Sequence, residues 1–195
     1  MDIIISHQEI DLQECDFLVC GFFSDERPLK GSIGLVDWRL NGRISRFLKD
    51  GKITGNWKET ILIPSNGRIL PRLILLYGLG SLRQYSYLRI REVTPSLLKT
   101  LHQLDASNIC FSLPYHEDYN VDCGKLVEVL IEGIGDFLDR NRSLFKDEWS
   151  EKLRLLFAEG EKRILEILLG VQTAKFILKD RFDIRIFTPS DMEGF

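Results

Sequence analysis

The sequence predicts an α/β protein: a three-layer α/β/α sandwich around a mixed, mainly parallel sheet. Two observations carry this. The runs Phe17-Leu18-Val19-Cys20 and Leu73-Ile74-Leu75-Leu76 are short and almost continuously apolar, the pattern of strands covered on both faces. Between and after such runs come stretches with apolar residues at three- and four-residue spacing, so strands alternate with helices along most of the 195 residues. With 44% hydrophobic residues the chain can fill a sizeable core, and a single domain spanning 1–195 is expected.

The elements follow in order. Met1-Asp2-Ile3-Ile4-Ile5-Ser6-His7 has no basic leader region, and no later window reaches the apolar length of a membrane helix. A soluble, cytoplasmic chain with no membrane partner is therefore expected. After the strand at Phe17, the residues Ile33, Val36, Leu40, Ile44 and Phe47 share one face of a helix that Asp50-Gly51 ends. Arg39, Arg43 and Arg46 fall largely on its wet side. Thr60-Ile61-Leu62-Ile63 reads as a strand stopped by Pro64 and a Ser65-Asn66-Gly67 turn. Thr94-Pro95 reads as a helix start, with Leu97, Leu98, Leu101 and Leu104 as the buried stripe.

Asn108 to Leu113 is the next strand, and Val127, Leu130, Ile134 and Phe137 mark the next helix. Leu153 to Ala158 is a strand, Ile164, Leu168 and Val171 a helix running close to Lys179, and Ile184-Arg185-Ile186-Phe187 a last strand.

Charge and cysteine content exclude some classes. Against 29 acidic side chains stand 26 basic ones, a net charge of -3 with both signs scattered, which does not suit a nucleic-acid grip built on bulk charge. The four cysteines, Cys15, Cys20, Cys110 and Cys123, lack the paired spacing of a zinc site and the density of a disulfide scaffold. They read as reduced, buried small hydrophobes. Three histidines make a multi-histidine metal site a poor expectation, with His7 isolated and His102 on the rim of a leucine-striped helix.

An ordered set of residues carries a resemblance. It runs through Arg27-Pro28-Leu29, then Val36-Asp37-Trp38-Arg39-Leu40-Asn41-Gly42-Arg43-Ile44, then Phe47-Leu48-Lys49-Asp50-Gly51-Lys52-Ile53-Thr54-Gly55-Asn56. Glu59-Thr60-Ile61-Leu62-Ile63-Pro64 and Arg72-Leu73-Ile74-Leu75-Leu76-Tyr77-Gly78-Leu79-Gly80 complete it. This order resembles the N-terminal domain of the leucyl (cytosol) aminopeptidase family: a Leu-Asp-x-x-Leu-x-Gly-type helix, a Gly-x-x-x-Gly turn, a Glu-Thr strand and a strand ending in Gly-Leu-Gly. The resemblance is clearest over the first half of the chain and implies a macro-domain-like fold.

In the full enzymes of that family the metal ions and catalytic residues lie in a separate C-terminal domain, around an Asn-Thr-Asp-Ala-Glu-Gly-Arg motif. No such motif occurs here, and eight residues follow Phe187. The resemblance therefore implies no catalytic or metal-binding residue in this chain and no cofactor. It implies a non-catalytic module for self-association, protein interaction or ligand binding. A fragment of a peptidase, or a partner of a separately encoded catalytic half, remains open. The competing reading is a macro-like domain that binds or hydrolyses a nucleotide-derived or other anionic ligand.

The residues themselves offer a modest site. Gly78-Leu79-Gly80 after an apolar strand invites a phosphate-loop reading, but Arg83 stands where a dinucleotide fingerprint needs its third glycine, and a tight structural turn explains the motif as well. Macro domains that bind ADP-ribose use an Asn-rich segment and a glycine-rich phosphate loop, neither recognisable in this sequence. If the two early strands are parallel neighbours, Ser24 and Asp25 after one and Gly78, Leu79, Gly80 and Ser81 after the other flank a crevice at their carboxyl ends. These six residues are the candidate ligand site.

Pro114-Tyr115-His116-Glu117-Asp118-Tyr119 has groups fit for acid–base or metal chemistry, yet reads first as a polar surface loop. Arg39, Arg43, Arg46, Lys49 and Lys52 form a basic ridge. Members of the resembled family include DNA binders, but a solvated helix face is the simpler reading, with Trp38 and Trp57 as packing anchors.

Overall fold

The computed structural model describes residues 1–142 and 148–192. Its centre is a seven-stranded sheet in the order β3-β4-β2-β5-β6-β1-β7. The strands are β1 (Asp2–Ser6), β2 (Phe17–Phe22), β3 (Thr60–Pro64), β4 (Leu73–Gly78), β5 (Asn108–Ser112), β6 (Arg154–Ala158) and β7 (Arg185–Phe187). All neighbours run parallel except β3 and β4, whose antiparallel register sets Thr60 opposite Tyr77. The Asn66-Gly67 turn permits this reversal because both residues take positive φ, 55° and 72°. The mixed, mainly parallel sheet predicted from the apolar runs is the one observed.

Alternation along each strand sends side chains to two separate cores. Ile3, Val19, Leu75, Ile109, Phe111, Leu155 and Phe157 face the layer of α3 (Tyr87–Gln103), α4 (Cys123–Arg140) and α6 (Ile164–Leu178). Ile4, Leu18, Cys20, Ile74, Leu76, Cys110 and Leu156 face the thinner layer of α1 (Gly31–Arg39) and α2 (Arg43–Lys49). Short helices α5 (Glu148–Lys152) and α7 (Pro189–Met192) complete the described elements. The α4 and α6 backbones cross in contact: a Cβ added at Gly170 would lie 2.1 Å from the Gly124 carbonyl oxygen.

Several expectations are corrected. The helix read across Ile33 to Phe47 is two helices, because Asn41 and Gly42 take positive φ of 57° and 68° and turn the chain between them. Asp37 then caps the second one, accepting from the N–H groups of Ile44 at 2.7 Å and Ser45 at 3.1 Å. Thr94-Pro95 does not start a helix. It lies inside α3, whose N-cap is Ser86, accepting from the Arg89 N–H. Proline is tolerated there because the carbonyl it orphans belongs to exposed Arg91, while the Thr94 hydroxyl donates to the Ile90 carbonyl at 2.7 Å.

The N-terminal residues, considered in the sequence only as a potential leader, form a central strand in which Ile3 and Ile5 are fully buried. Trp38 is no packing anchor: it is 68% exposed, with the Arg39 guanidinium 4.9 Å from its ring. Arg39 itself pairs with buried Asp11 at 2.6 Å. All four cysteines are buried, and none is in a disulfide. No helix among the described residues is long and apolar enough to cross a membrane.

Candidate functional site

The parallel strands deliver their loops to one end of the sheet, where open α/β sheets place ligands. The six residues singled out from the sequence meet there. The Ser24 N–H donates to the Gly80 carbonyl at 2.9 Å. The Asp25 carboxylate accepts from the Ser81 hydroxyl and from the Leu82 N–H at 2.8 Å, which together hold its pKa below the usual carboxylate range. Leu79 is fully buried, and its N–H donates to Phe22 at 2.9 Å.

The two glycines answer local constraints. Gly80 takes φ +73°, and a Cβ at Gly78 would lie 2.0 Å from the Asn56 carbonyl oxygen. The two loops bond to each other and, through Gly78 and Gly80, to Gly55, Lys58 and Glu59. Beside them a hollow of about 300 Å³ opens between Leu82, Tyr85 and the Asp118–Val121 stretch.

The larger crevice at this end, about 400 Å³, lies over the ends of β5 and β6. Its floor is Glu159, the residue after β6. That carboxylate accepts from the Leu113 N–H at 3.0 Å and from the Ser32 hydroxyl at 3.0 and 3.1 Å. Burial nevertheless wins, raising its pKa to about 7. One wall is the first turn of α1, Gly31 and Ser32, which contains no acidic residue and receives no side-chain cap. Gly31 takes φ +62°, and a Cβ there would meet the Tyr115 carbonyl oxygen at 2.4 Å, so glycine is what lets the β5 loop close onto the helix.

Arg163 stands at the mouth, 4.7 Å from the Tyr115 ring centroid, 2.6 Å from Glu166 and 3.7 Å from Glu117. Glu9 contributes a further carboxylate to the lining.

The Pro114–Tyr119 segment bridges the two hollows. His116 Nδ1 accepts from the Asp118 N–H at 3.2 Å, Lys30 pairs with Asp118 at 2.8 Å, and the Tyr119 hydroxyl donates to buried Glu26. Phe23, Tyr85 and Tyr119 pack edge to face, with centroids 4.9 and 5.6 Å apart around Phe23. No cluster of metal-binding side chains forms among the described residues. A depression of about 550 Å³ framed by Met1, Arg142 and Arg181 lies at the amino ends of the strands, the wrong end for a ligand in an open α/β sheet.

Sequence reasoning missed Glu9, Ser32, Glu159 and Arg163. The signal was present: Glu159-Gly160 directly follows an apolar strand, and Lys30-Gly31-Ser32 precedes a helix.

A seven-stranded mixed sheet between two helical layers, with a crevice at the carboxyl ends, defines the macro-domain-like class. The solved macro domain of ganglioside induced differentiation associated protein 2 is similar, with TM-score 0.66 at 10% identity over 89% of this chain and 84% of that one. The Oceanobacillus iheyensis macrodomain with ADP is similar too, with TM-score 0.66 at 12% identity over 90% and 91%. A tomato leucine aminopeptidase mutant has TM-score 0.60 at 15% identity, over 91% of this chain and 37% of that one.

By sequence, residues 19–141 match the model of the cytosol aminopeptidase family, N-terminal domain, and the chain belongs to that family. A probable cytosol aminopeptidase of Sulfurihydrogenibium sp. is 24% identical over 78% of this chain and 30% of its own length. The cytosol aminopeptidase of Pseudomonas aeruginosa is 29% identical over 66% and 26%. The chain thus spans less than a third of the length of these curated relatives.

Proposed function

We propose that this chain is a binding module for a small nucleotide-derived anion, held in the crevice between α1, the β5 loop and the end of β6. The observation that carries the reading is the first turn of α1, uncapped and free of acidic residues, opening on that crevice. Backbone N–H groups at a helix start attract phosphate through their unpaired hydrogens and the helix dipole. Arg163 supplies a cation at the mouth. Glu9 and Glu117 are acceptors suited to the hydroxyl and amino groups of a nucleoside, and protonated Glu159 can donate.

The Ser24–Asp25 and Gly78–Ser81 loops rim the neighbouring hollow. There the Ser81 hydroxyl and Leu82 N–H would exchange the Asp25 carboxylate for a ligand oxygen. The fold is shared with the Oceanobacillus iheyensis macrodomain, solved with ADP and, as a mutant, with the ligand abbreviated ADPR, which supports a nucleotide-derived ligand.

The test is calorimetric titration with ADP and ADP-ribose, with chromatography of the ligand afterwards. Saturable binding is expected, weakened about tenfold by Arg163→Ala, as loss of one charge-assisted contact implies. Conversion of the ligand would turn the module into an enzyme. No heat and no thermal shift at millimolar ligand would remove the proposal.

A further inference from the structure

The outer face of α6 is mainly apolar and exposed, with the Lys179 ammonium 4.6 Å from the Phe176 ring centroid. Leu165 is 79% exposed, Leu169 65% and Phe176 70%, while Ile167, Val171, Ala174 and Leu178 on the opposite side enter the core. At 3.6 residues per turn Leu165, Leu169, Gln172 and Phe176 fall within about 60° of one another, one continuous stripe along the helix. An exposed apolar stripe of this kind is the signature of a surface that another molecule covers.

We infer that the cover is a second copy of this chain, docked through α6 in an antiparallel helix pair about a two-fold axis near residue 170. The charges at the two ends of the stripe argue for this occupant. Glu161 and Lys162 stand exposed at its start, Lys179 and Asp180 at its end, and none of the four joins an ion pair among the described residues.

In an antiparallel pair each flank of a helix faces the same flank of its partner. Glu161 then meets Lys179 of the second copy, Lys162 meets its Asp180, and the symmetry repeats both pairs at the other end. Leu165 meets Phe176, and Leu169 lies over Gln172. Antiparallel helix dipoles favour the same arrangement. One helix face of about 22 Å buries less than the roughly 800 Å² per partner of a standard interface, so a dissociation constant on the order of micromolar to tens of micromolar is expected.

Sedimentation equilibrium between about 1 and 200 µM, a range that brackets this affinity, measures it. A monomer–dimer equilibrium is expected, and Leu169→Glu or Phe176→Glu, both at exposed positions, raises the dissociation constant at least about tenfold with the circular dichroism spectrum unchanged. The decisive arm is charge reversal. Lys162→Glu and Asp180→Lys each weaken the dimer, and the double variant restores it.

Residue 162 lies in the 3-10 turn before α6 and residue 180 just beyond its end, so the helix, about 22 Å long, holds them apart in one copy, beyond the reach of direct pairing or of a screened charge interaction. Such rescue can only act between copies. A monomer throughout the range, a dimer indifferent to Leu169→Glu, or a double variant no better than the singles would each overturn the inference.

Discussion

Glu159 shows how one side chain sets the working conditions of a site. Its carboxylate is desolvated at the floor of the crevice, and two donors do not repay that cost, so its pKa rises to about 7. Because the folded-state pKa lies above the ordinary value of 4.5, the native state holds a proton that the unfolded chain has released. Stability from this site is complete below pH 4.5 and falls as pH rises through 7.

Part of the residue still reaches solvent, so the swing is on the order of 2 kcal/mol. Glu159→Gln, which keeps the shape and loses the titration, should flatten that limb. Melting temperatures of the two proteins are expected to converge near pH 3.5 and to separate in favour of the variant near pH 8, about one unit outside the two pKa values on each side. Parallel curves would show that the carboxylate does not titrate in this range. The place of Glu159 at a strand end was legible in the sequence, but its raised pKa was not, because that comes from its burial over β5 and β6 and not from any neighbour in the chain.

At the scale of elements, the sequence showed what is repetitive and hid what depends on one backbone angle. The strands β2, β4, β5 and β6 were legible because continuous apolar runs have few other uses. The α1–α2 break was hidden because Ile33, Val36, Leu40 and Ile44 keep helical spacing across it. All four are buried against the same core even though the helix stops. The clue was Asn41-Gly42, two residues at home in left-handed conformation. The first half of α3 was hidden for a different reason: Thr94-Pro95 reads as a helix start, whereas Ser86 caps the helix earlier and tertiary packing of Ile90 and Val93 carries it past Pro95.

Asp37 fastens the α1–α2 corner through two backbone N–H groups of α2 and the Ser45 hydroxyl. Asp37→Ala should therefore cost about 1–2 kcal/mol, read as a lower urea midpoint with unchanged slope. Asp37→Asn should recover part of that loss, since an amide oxygen still caps. Equal losses in the two variants would mean that charge, not capping, holds the corner.

The whole molecule is asymmetric about its sheet, and the crevice sits on the weaker side. On one face α3, α4 and α6, of 17, 18 and 15 residues, bury a large core. On the other, α1 and α2, of 9 and 7 residues, cover a smaller one. Local opening free energy follows the apolar contact an element would lose, so the thin layer is the one free to open before the protein unfolds.

Native-state hydrogen exchange should accordingly rank the amides of α1 and α2 well below those of α4, with β2 and β5 exchanging only on global opening. The first turn of α1 is also where the proposed anion is held, so occupancy and opening exclude each other. At an ADP concentration 100 times its dissociation constant, protection of α1 should rise by about 2.7 kcal/mol, and by as much in any element that exchanges only when the whole chain opens, because global unfolding also releases the ligand. Were ADP to bind while protection of α1 rose less than that of the globally exchanging β2 and β5, local opening of the thin layer would leave the anion bound, and the anion would not be held by the first turn of α1. If protection rose in α3 and α4 but not in α1, the anion would sit elsewhere.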